Sequence, residues 1–319
     1  MSNATGIAKG ITNVQSYQFD QAVADYKDKI YPIKFQLNAA ETGFSKNQGA
    51  IAECVGCATS QVIEALLLRD VLSKNDGEEI KDEILNKENF GYEEISESYI
   101  YGKCRDAGSK YLGMIPQECF AKLKSIGAVP KQYFNIVKEM PEIQDIANKH
   151  YELDEMARLY AIESYLILPN DFKNRDLAIK YILTEYRIPV VAVYGQGFGE
   201  RHCVLIVGWN DEKNTYRIKN SWGTDWGNNG YCSKYKTDLE EAYMLINEET
   251  KLPFEDVNED DWYYNAIKHA YLSNIMQGRT DTEFEPNETM TRAEMATVVS
   301  RVLKAVDERV AKMNELLNK

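Results

Sequence analysis

Apolar residues from Cys54 to Asp70 fall on nearly every face at helical spacing, so this stretch predicts a deeply buried helix. Before it, residues from about 17 to 45 mix short polar and apolar runs without a long period. They predict an extended N-terminal arm that leads to a turn at Asn47-Gln48-Gly49. The acidic, lysine-rich stretch from Ser73 to Glu97 predicts surface. An amphipathic helix is predicted from Gln117 to Ile126, with Gly127 as its C-cap and Pro130 behind the stop. Phe134 to Leu168 reads as helical and polar, and Leu177 to Tyr186 as a further amphipathic helix ending before Ile188-Pro189. Then the period shortens. Val190 to Tyr194, Cys203 to Val207 and Thr215 to Lys219 are rich in β-branched and aromatic residues, with glycine or Asn-Asp turns between them, and predict strands. A helical first half and a strand-rich second half predict an α+β fold.

A second change of character falls at Glu248-Glu249-Thr250-Lys251-Leu252-Pro253, where a linker is predicted. The resulting plan is a domain over 1–247, a linker over 248–253, a small all-α module over 254–302 and an amphipathic helix over 303–319. In the module two short helices are joined by a loop containing Gly278 and Pro286, and Thr291 with Glu294 predicts a capping box. Leu303, Val306, Val310, Met313 and Leu317 follow 3-4-3-4 spacing, a short heptad seam that either packs on its own module or associates with a second copy.

A chain of 319 residues can bury a sizeable core over more than one domain without help from disulfides or metal. Its formal net charge of −13 repels nucleic-acid backbones and anionic membrane surfaces, so polyanion binding is excluded as a main function. No segment has the length of a bilayer crossing. Of the six cysteines, Cys54 and Cys57 alone form a C-x-x-C, and a structural zinc site needs a second such pair.

The chemistry centres on Cys54, the first residue of the predicted buried helix. Unpaired backbone N–H groups and the helix dipole stabilise a thiolate there. Gln48 lies in a loop that can fold back beside it, so its amide and the Cys54 backbone N–H can donate to a developing oxyanion. Only three histidines exist, His150, His202 and His269. His202 follows a glycine-rich turn and opens a strand, which makes it the candidate base; His150 and His269 read as solvated or packing residues. A hairpin symmetric about Asp211 sets His202 opposite Asn220, whose amide oxygen can hold the imidazole, and Trp222 follows closely enough to shield the pair from water. Cys57, one turn into the helix, reads as core.

These segments carry a resemblance. Asn47-Gln48-Gly49 with Cys54, Arg201-His202-Cys203 through Trp209, and Lys219-Asn220-Ser221-Trp222-Gly223 through Tyr231 resemble the oxyanion-glutamine, histidine and asparagine segments of the papain-like cysteine peptidases. The resemblance implies a two-lobed fold with a helical lobe around the central helix and a β-rich lobe. It also implies a Cys54 thiolate and His202 imidazolium that form an acyl-enzyme on protein or peptide substrates, with no cofactor and no metal. Two departures stand out: Ile51 occupies a position where the family has a disulfide cysteine, and Cys57 one often held by phenylalanine. Phe254 to Val257, Trp262, Gly278, Phe284 to Asn287 and Met290 to Glu294 resemble one S-layer-homology (SLH) repeat. That resemblance implies binding of a bacterial secondary cell-wall polysaccharide, with Arg292 and Trp262 as candidate contacts. Because the family groups three repeats, it also implies a homo-oligomer, which a monomer in sedimentation at micromolar concentration excludes. The expected setting is the bacterial cell surface or the extracellular space, with a cytoplasmic or virus-associated one as the alternative. A peptidoglycan peptidase or amidase using the same residues, and a catalytically silent surface-binding protein, are the rival functions.

Overall fold

A computed structural model describes residues 17–23, 25–73, 94–106, 112–136, 138, 141–158, 160–246, 254–258, 261–272, 275–280 and 282–317. The chain divides into two compact units, Met1–Glu248 and Glu249–Lys319. Most of the stretch expected as surface between Ser73 and Glu97, and all of the expected linker over 248–253, lie outside the described residues.

In the first unit the arm contains β1 (Tyr17–Gln18), the single-turn helix α1 (Phe19–Ala22) and β2 (Lys34–Gln36). The buried helix α2 runs Cys54–Ser73, and α3 (Glu97–Cys104), α4 (Pro116–Ile126), α5 (Glu142–Lys149) and α6 (Asp154–Arg158) complete the helical part. The α4 helix has Pro116 in its first turn and Gly127 as C-cap, the start and stop its sequence calls for. Then come β3 (Ser164–Ile167), α7 (Phe172–Tyr181), β4 (Val190–Tyr194), β5 (His202–Asn210), β6 (Thr215–Lys219), β7 (Tyr231–Tyr235) and β8 (Leu239–Ile246). The strands form one sheet in the order β1-β3-β8-β4-β5-β6-β7, with β2 also paired to β5. Apart from the parallel β1–β3 pair, its pairings are antiparallel. Helices packed beside an antiparallel sheet make this an α+β fold.

The structure differs from the sequence pattern in three places. The stretch read as helical up to Leu168 ends in β3, four residues whose inner pair, Tyr165 and Leu166, is buried, too short a run to register as alternation. In β8 the successive residues Ala242 to Leu245 are all buried, so it shows no period of two either. The helix expected from Leu177 to Tyr186 starts earlier, at Phe172 behind an Asp171 N-cap whose carboxylate accepts from Asn174 N at 2.9 Å. After Tyr181 it passes into a π-turn over Ile182–Tyr186 that ends at Arg187 in the left-handed region.

Helix α2 is buried on all faces from Cys54 to Leu66, and its polar residues are satisfied internally. Thr59 Oγ1 donates to Val55 O at 2.6 Å, Ser60 Oγ to Cys57 O at 3.0 Å, and Gln61 Nε2 to Phe44 O at 2.7 Å. Burial of so many hydroxyl and amide groups is tolerable only because each has such a partner.

The second unit has a small core of Phe254, Val257, Tyr264 and Ile267, flanked by Tyr263, Tyr271 and Phe284. Its helices are α8 (Tyr264–Leu272) and α9 (Arg292–Leu317). The Thr291 and Glu294 capping box forms, with Thr291 N donating to Glu294 Oε2 at 2.7 Å and Glu294 N to Thr291 Oγ1 at 3.2 Å. The module's last helix and the expected seam helix are thus one continuous helix, and apart from Leu303, which is exposed, the seam side chains lie outside the described residues.

Candidate active site

Cys54 is the first residue of α2, where the helix N-terminus favours a thiolate, and it is fully buried. The segment before it is tied to the segment after β6 by a set of backbone bonds. Gln48 N donates to Ser221 O at 2.9 Å, Gly223 N donates to Lys46 O at 2.9 Å, and Asn47 and Trp222 form an isolated antiparallel bridge. Gln48 is held through both ends of its amide: Nε2 donates to Ile51 O at 2.8 Å, and Oε1 accepts from Ser221 Oγ at 2.5 Å. These contacts bring Gln48 and Asn220, distant in sequence, onto paired segments, and α2 packs on β5, which begins at His202.

His202 Nε2 lies 2.7 Å from Asn220 Oδ1. Asn220 Oδ1 also accepts from Ser221 N at 2.8 Å, which fixes the orientation of the amide. With Nε2 donating to the amide oxygen, the proton-accepting nitrogen is Nδ1, which is buried with no hydrogen-bond partner among the described residues. The strand register behind this contact is not the expected one. The turn spans Asp211 to Asn214 rather than centring on Asp211, and Leu205 pairs with Lys219 and Ile206 with Ile218. This moves the register by two residues, so Asn220 reaches His202 diagonally, within range of a side-chain pair across an antiparallel ladder.

An aromatic box encloses the imidazole. Trp222 lies 4.9 Å from it, centroid to centroid, at 30°, and Phe198 at 5.1 Å, with Trp226 against Trp222 at 5.1 Å. Phe198 reaches this position from the glycine-rich turn because Gly197 and Gly199 on either side adopt φ of +88° and +93°, a region that side-chain-bearing residues rarely enter. Lys234 Nζ covers its ring at 4.2 Å and donates to Gly197 O. Burial drives the His202 pKa down to about 4, and the bond to Asn220 opposes the shift. The neighbouring thiols of Cys57 and Cys203 are pushed well up by burial, so both are neutral at ordinary pH. The structure forms no disulfide among its six cysteines.

The sequence pattern did not reveal Phe198 or a buried set of charges behind the Gln48 loop. Lys46 is fully buried between Glu64 at 2.7 Å, Glu94 at 3.2 Å and Glu97 at 3.2 Å, and it donates to Ile95 O at 2.8 Å. Burial opposes its charge, but Glu64, Glu97 and Glu94 outweigh it and raise its pKa. Glu64, on α2, also accepts from Phe44 N at 2.6 Å and Ile95 N at 2.8 Å. Lys219 is buried at the end of β6, and its ammonium donates to Thr42 O at 2.9 Å and to Gly43 O. Burial lowers its pKa to about 7. Among the other sequence candidates, His150 is buried rather than solvated and pairs with Glu152 at 2.8 Å. The side chain of His269 lies outside the described residues. Trp262 is 92% exposed, and Arg292 is exposed at the start of α9. Among the described residues no cluster of acidic, histidine or cysteine side chains is placed to hold a metal ion, and no helix is long and apolar enough to cross a membrane.

A helix-start cysteine, a strand-borne histidine on an asparagine amide, and a glutamine on the paired loop make the arrangement of a papain-like fold. Residues 178–253 match the family model of the papain family cysteine proteases, and residues 253–296 match that of the S-layer homology domain. The papain-family match contains His202 and Asn220, whereas Cys54 and Gln48 lie before it and join it through the fold. Xylellain, a cysteine protease from Xylella fastidiosa, has a similar fold, with a TM-score of 0.57 at 18% identity over 78% of this chain and 97% of that one. An amylopullulanase of Thermoanaerobacterium thermosulfurigenes is 40% identical over 55 residues, which are 17% of this chain and 3% of that protein. A peptidase C1-like protein of Acanthamoeba polyphaga mimivirus is 37% identical over 71 residues, 21% of this chain and 23% of that protein. The chain therefore spans less than a quarter of the length of either of these curated relatives.

Proposed function

We propose that this chain is a cysteine endopeptidase that works through Cys54 and is held at a bacterial cell surface by its SLH domain. The observation that carries the catalytic half is the His202 ring. It is boxed by Trp222 and Phe198, its Nε2 is anchored on Asn220, and its Nδ1 is left for the Cys54 thiol. The thiolate attacks a peptide carbonyl, and the oxyanion is received by Gln48 Nε2–H and the Cys54 backbone N–H. His202 then passes its proton to the leaving amine, which departs as the tetrahedral intermediate collapses to a thioester. In the second half His202 takes a proton from water, whose oxygen displaces the thiolate and releases the new carboxylic acid. Asn220 and Trp222 act as positioning residues for the ring.

The SLH domain supports attachment to a secondary cell-wall polysaccharide, with Arg292 and the exposed Trp262 as proposed contacts. A wall-binding domain also supports a second reading in which the same site cleaves peptidoglycan peptides. Both are read in one experiment with an epoxide directed at papain-like enzymes, an unfolded protein substrate and dye-labelled wall. Stoichiometric labelling and proteolysis, both lost in Cys54→Ala, are expected. Dye release without proteolysis favours the wall substrate, and protein cleavage that survives Cys54→Ala removes Cys54 from the mechanism.

A further inference from the structure

A groove of about 500 Å³ lies over strands β2, β5, β6 and β7, and neither the catalytic pair nor the SLH domain uses it. Strand pairing explains its shape. Gln36 pairs with Gly208, Gly208 with Arg217, and Arg217 with Ser233, so the four form one row across the sheet. Gly208 supplies no side chain beside Arg217, and a Cβ there would meet Phe35 O at 2.4 Å, so the space is enforced by the close approach of β2.

Arg217 is the unusual member of this row. Its guanidinium lies 5.1 Å over the ring of Tyr231, and its Nε is buried with no hydrogen-bond partner among the described residues. Other arginines of this unit are matched: Arg187 donates to Glu41 through Nε and Nη2 at 2.7 Å each, and Arg201 pairs with Glu240 and Glu241. Among the described residues no acidic side chain lines the groove, and the charge of Lys34 at its edge is answered by Glu212 at 2.6 Å. A stacked, unmatched guanidinium presents the planar fork that a carboxylate fits with two parallel bonds.

The remaining lining narrows the ligand. Gln36 and Asn228 are carboxamides that offer both a donor and an acceptor, Asn210 adds its amide donor while its Oδ1 accepts from Lys213 N at 3.2 Å, and Thr215 and Ser233 add hydroxyls. A dianionic phosphate ester has no donor for those acceptors, whereas peptide amides answer both kinds. Phe35 and Trp209 supply an apolar flank. One cation without an acidic partner among the described residues, Arg217, and a net charge of −13 favour a ligand with a single negative charge. The volume suits a short peptide segment. We propose that this groove is a second binding site that takes a peptide by its free α-carboxylate on Arg217, with the adjacent backbone amides on the carboxamide row.

The test is calorimetric titration of the full chain with N-acetylalanylleucine and with its C-terminal amide. The acid is expected to bind at least tenfold more tightly than the amide, and Arg217→Gln to remove that preference. Ser233→Trp, at an exposed position, is expected to block the acid while leaving the thermal unfolding midpoint in place, so the reading survives even if the arginine variant folds poorly. Equal binding of acid and amide overturns the proposal. So does acid binding unaffected by either substitution, which places the peptide elsewhere, for instance in the catalytic cleft. Competition by inorganic phosphate or glucuronate at concentrations as low as the peptide's own also overturns it, because the groove would then read charge alone or an acidic sugar.

Discussion

Replacing Lys46 by methionine keeps most of the side-chain volume and removes one buried charge, which isolates what that charge does. Glu64 then loses its counter-ion at 2.7 Å while staying fully buried, with Phe44 N and Ile95 N as hydrogen-bond donors and the buried Lys219, whose pKa is about 7, as its remaining cationic neighbour. Glu94 and Glu97 keep Lys131, at 2.9 and 2.8 Å, so the deficit falls on Glu64. Burial already raises the pKa of Glu64, and without Lys46 the group takes up a proton rather than remain charged. Protonating a carboxyl of ordinary pKa near 4.3 costs about 4 kcal/mol at pH 7 and about 1 kcal/mol at pH 5. The sign follows: the folded variant binds a proton that the unfolded chain releases above pH 4.3, so its deficit shrinks as pH falls. Urea unfolding of Lys46→Met and wild type at both pH values measures this, followed by the fluorescence of Trp209, Trp222 and Trp226, which lie in the first unit. A loss under about 1 kcal/mol at pH 7, or an equal loss at both pH values, refutes the assignment of Lys46 as the counter-charge of Glu64.

The His202 ring gives a second pH-dependent expectation. With Cys54→Ala removing the thiolate, its imidazole signal in proton NMR should titrate near pH 4, whereas in wild type the thiolate should hold the proton to higher pH; identical titrations contradict the ion pair. In that variant the depressed pKa contributes stability that is fully present above pH 6.5 and is lost as pH falls toward 4, amounting to about 3 kcal/mol. In the SLH domain, Thr291→Ala removes the acceptor of Glu294 N, and amide exchange at Glu294 in the full chain should quicken about five- to tenfold. Unchanged exchange there means the capping box does not hold the start of α9.

The candidate site residues were legible where chemistry demands a particular residue in a particular local setting. Cys54 at a helix start, His202 opening a strand and Asn220 beyond the next turn are each defined by near neighbours, and the strands β4, β5 and β6 announce themselves by composition. The register was less legible because it depends on turn length and on a bulge. The four-residue turn and the irregularity between Ile206 and Gly208 shifted the pairing, and the contact survived because an asparagine can reach diagonally. Phe198 was hidden for a related reason. A single aromatic among glycines reads as part of a loose turn until the positive φ angles on both sides are seen to aim it at the imidazole.

The buried charges were illegible for a deeper reason. A lysine or glutamate in isolation reads as solvated, because burying an unpaired charge costs several kcal/mol, and pattern reasoning places it outward accordingly. Lys46, Glu64 and Lys219 lie inside only because their partners arrive from other segments: Glu94 and Glu97 from around the start of α3, and the carbonyls of Thr42 and Gly43 from the arm. Each of these residues sits near a proposed site residue, Lys46 two positions before Gln48, Glu64 on the Cys54 helix, and Lys219 next to Asn220. The charges therefore join the three segments that carry the site, and they do so through bonds whose geometry is narrow and whose loss is expensive. Apolar packing alone tolerates small slippage between segments, whereas a buried ammonium among fixed acceptors does not. On this argument the placement of Gln48, Cys54 and Asn220 is set from behind by the charge network as much as from in front by the aromatic box, and a substitution at Lys46 should loosen the site even though no atom of that side chain touches the substrate.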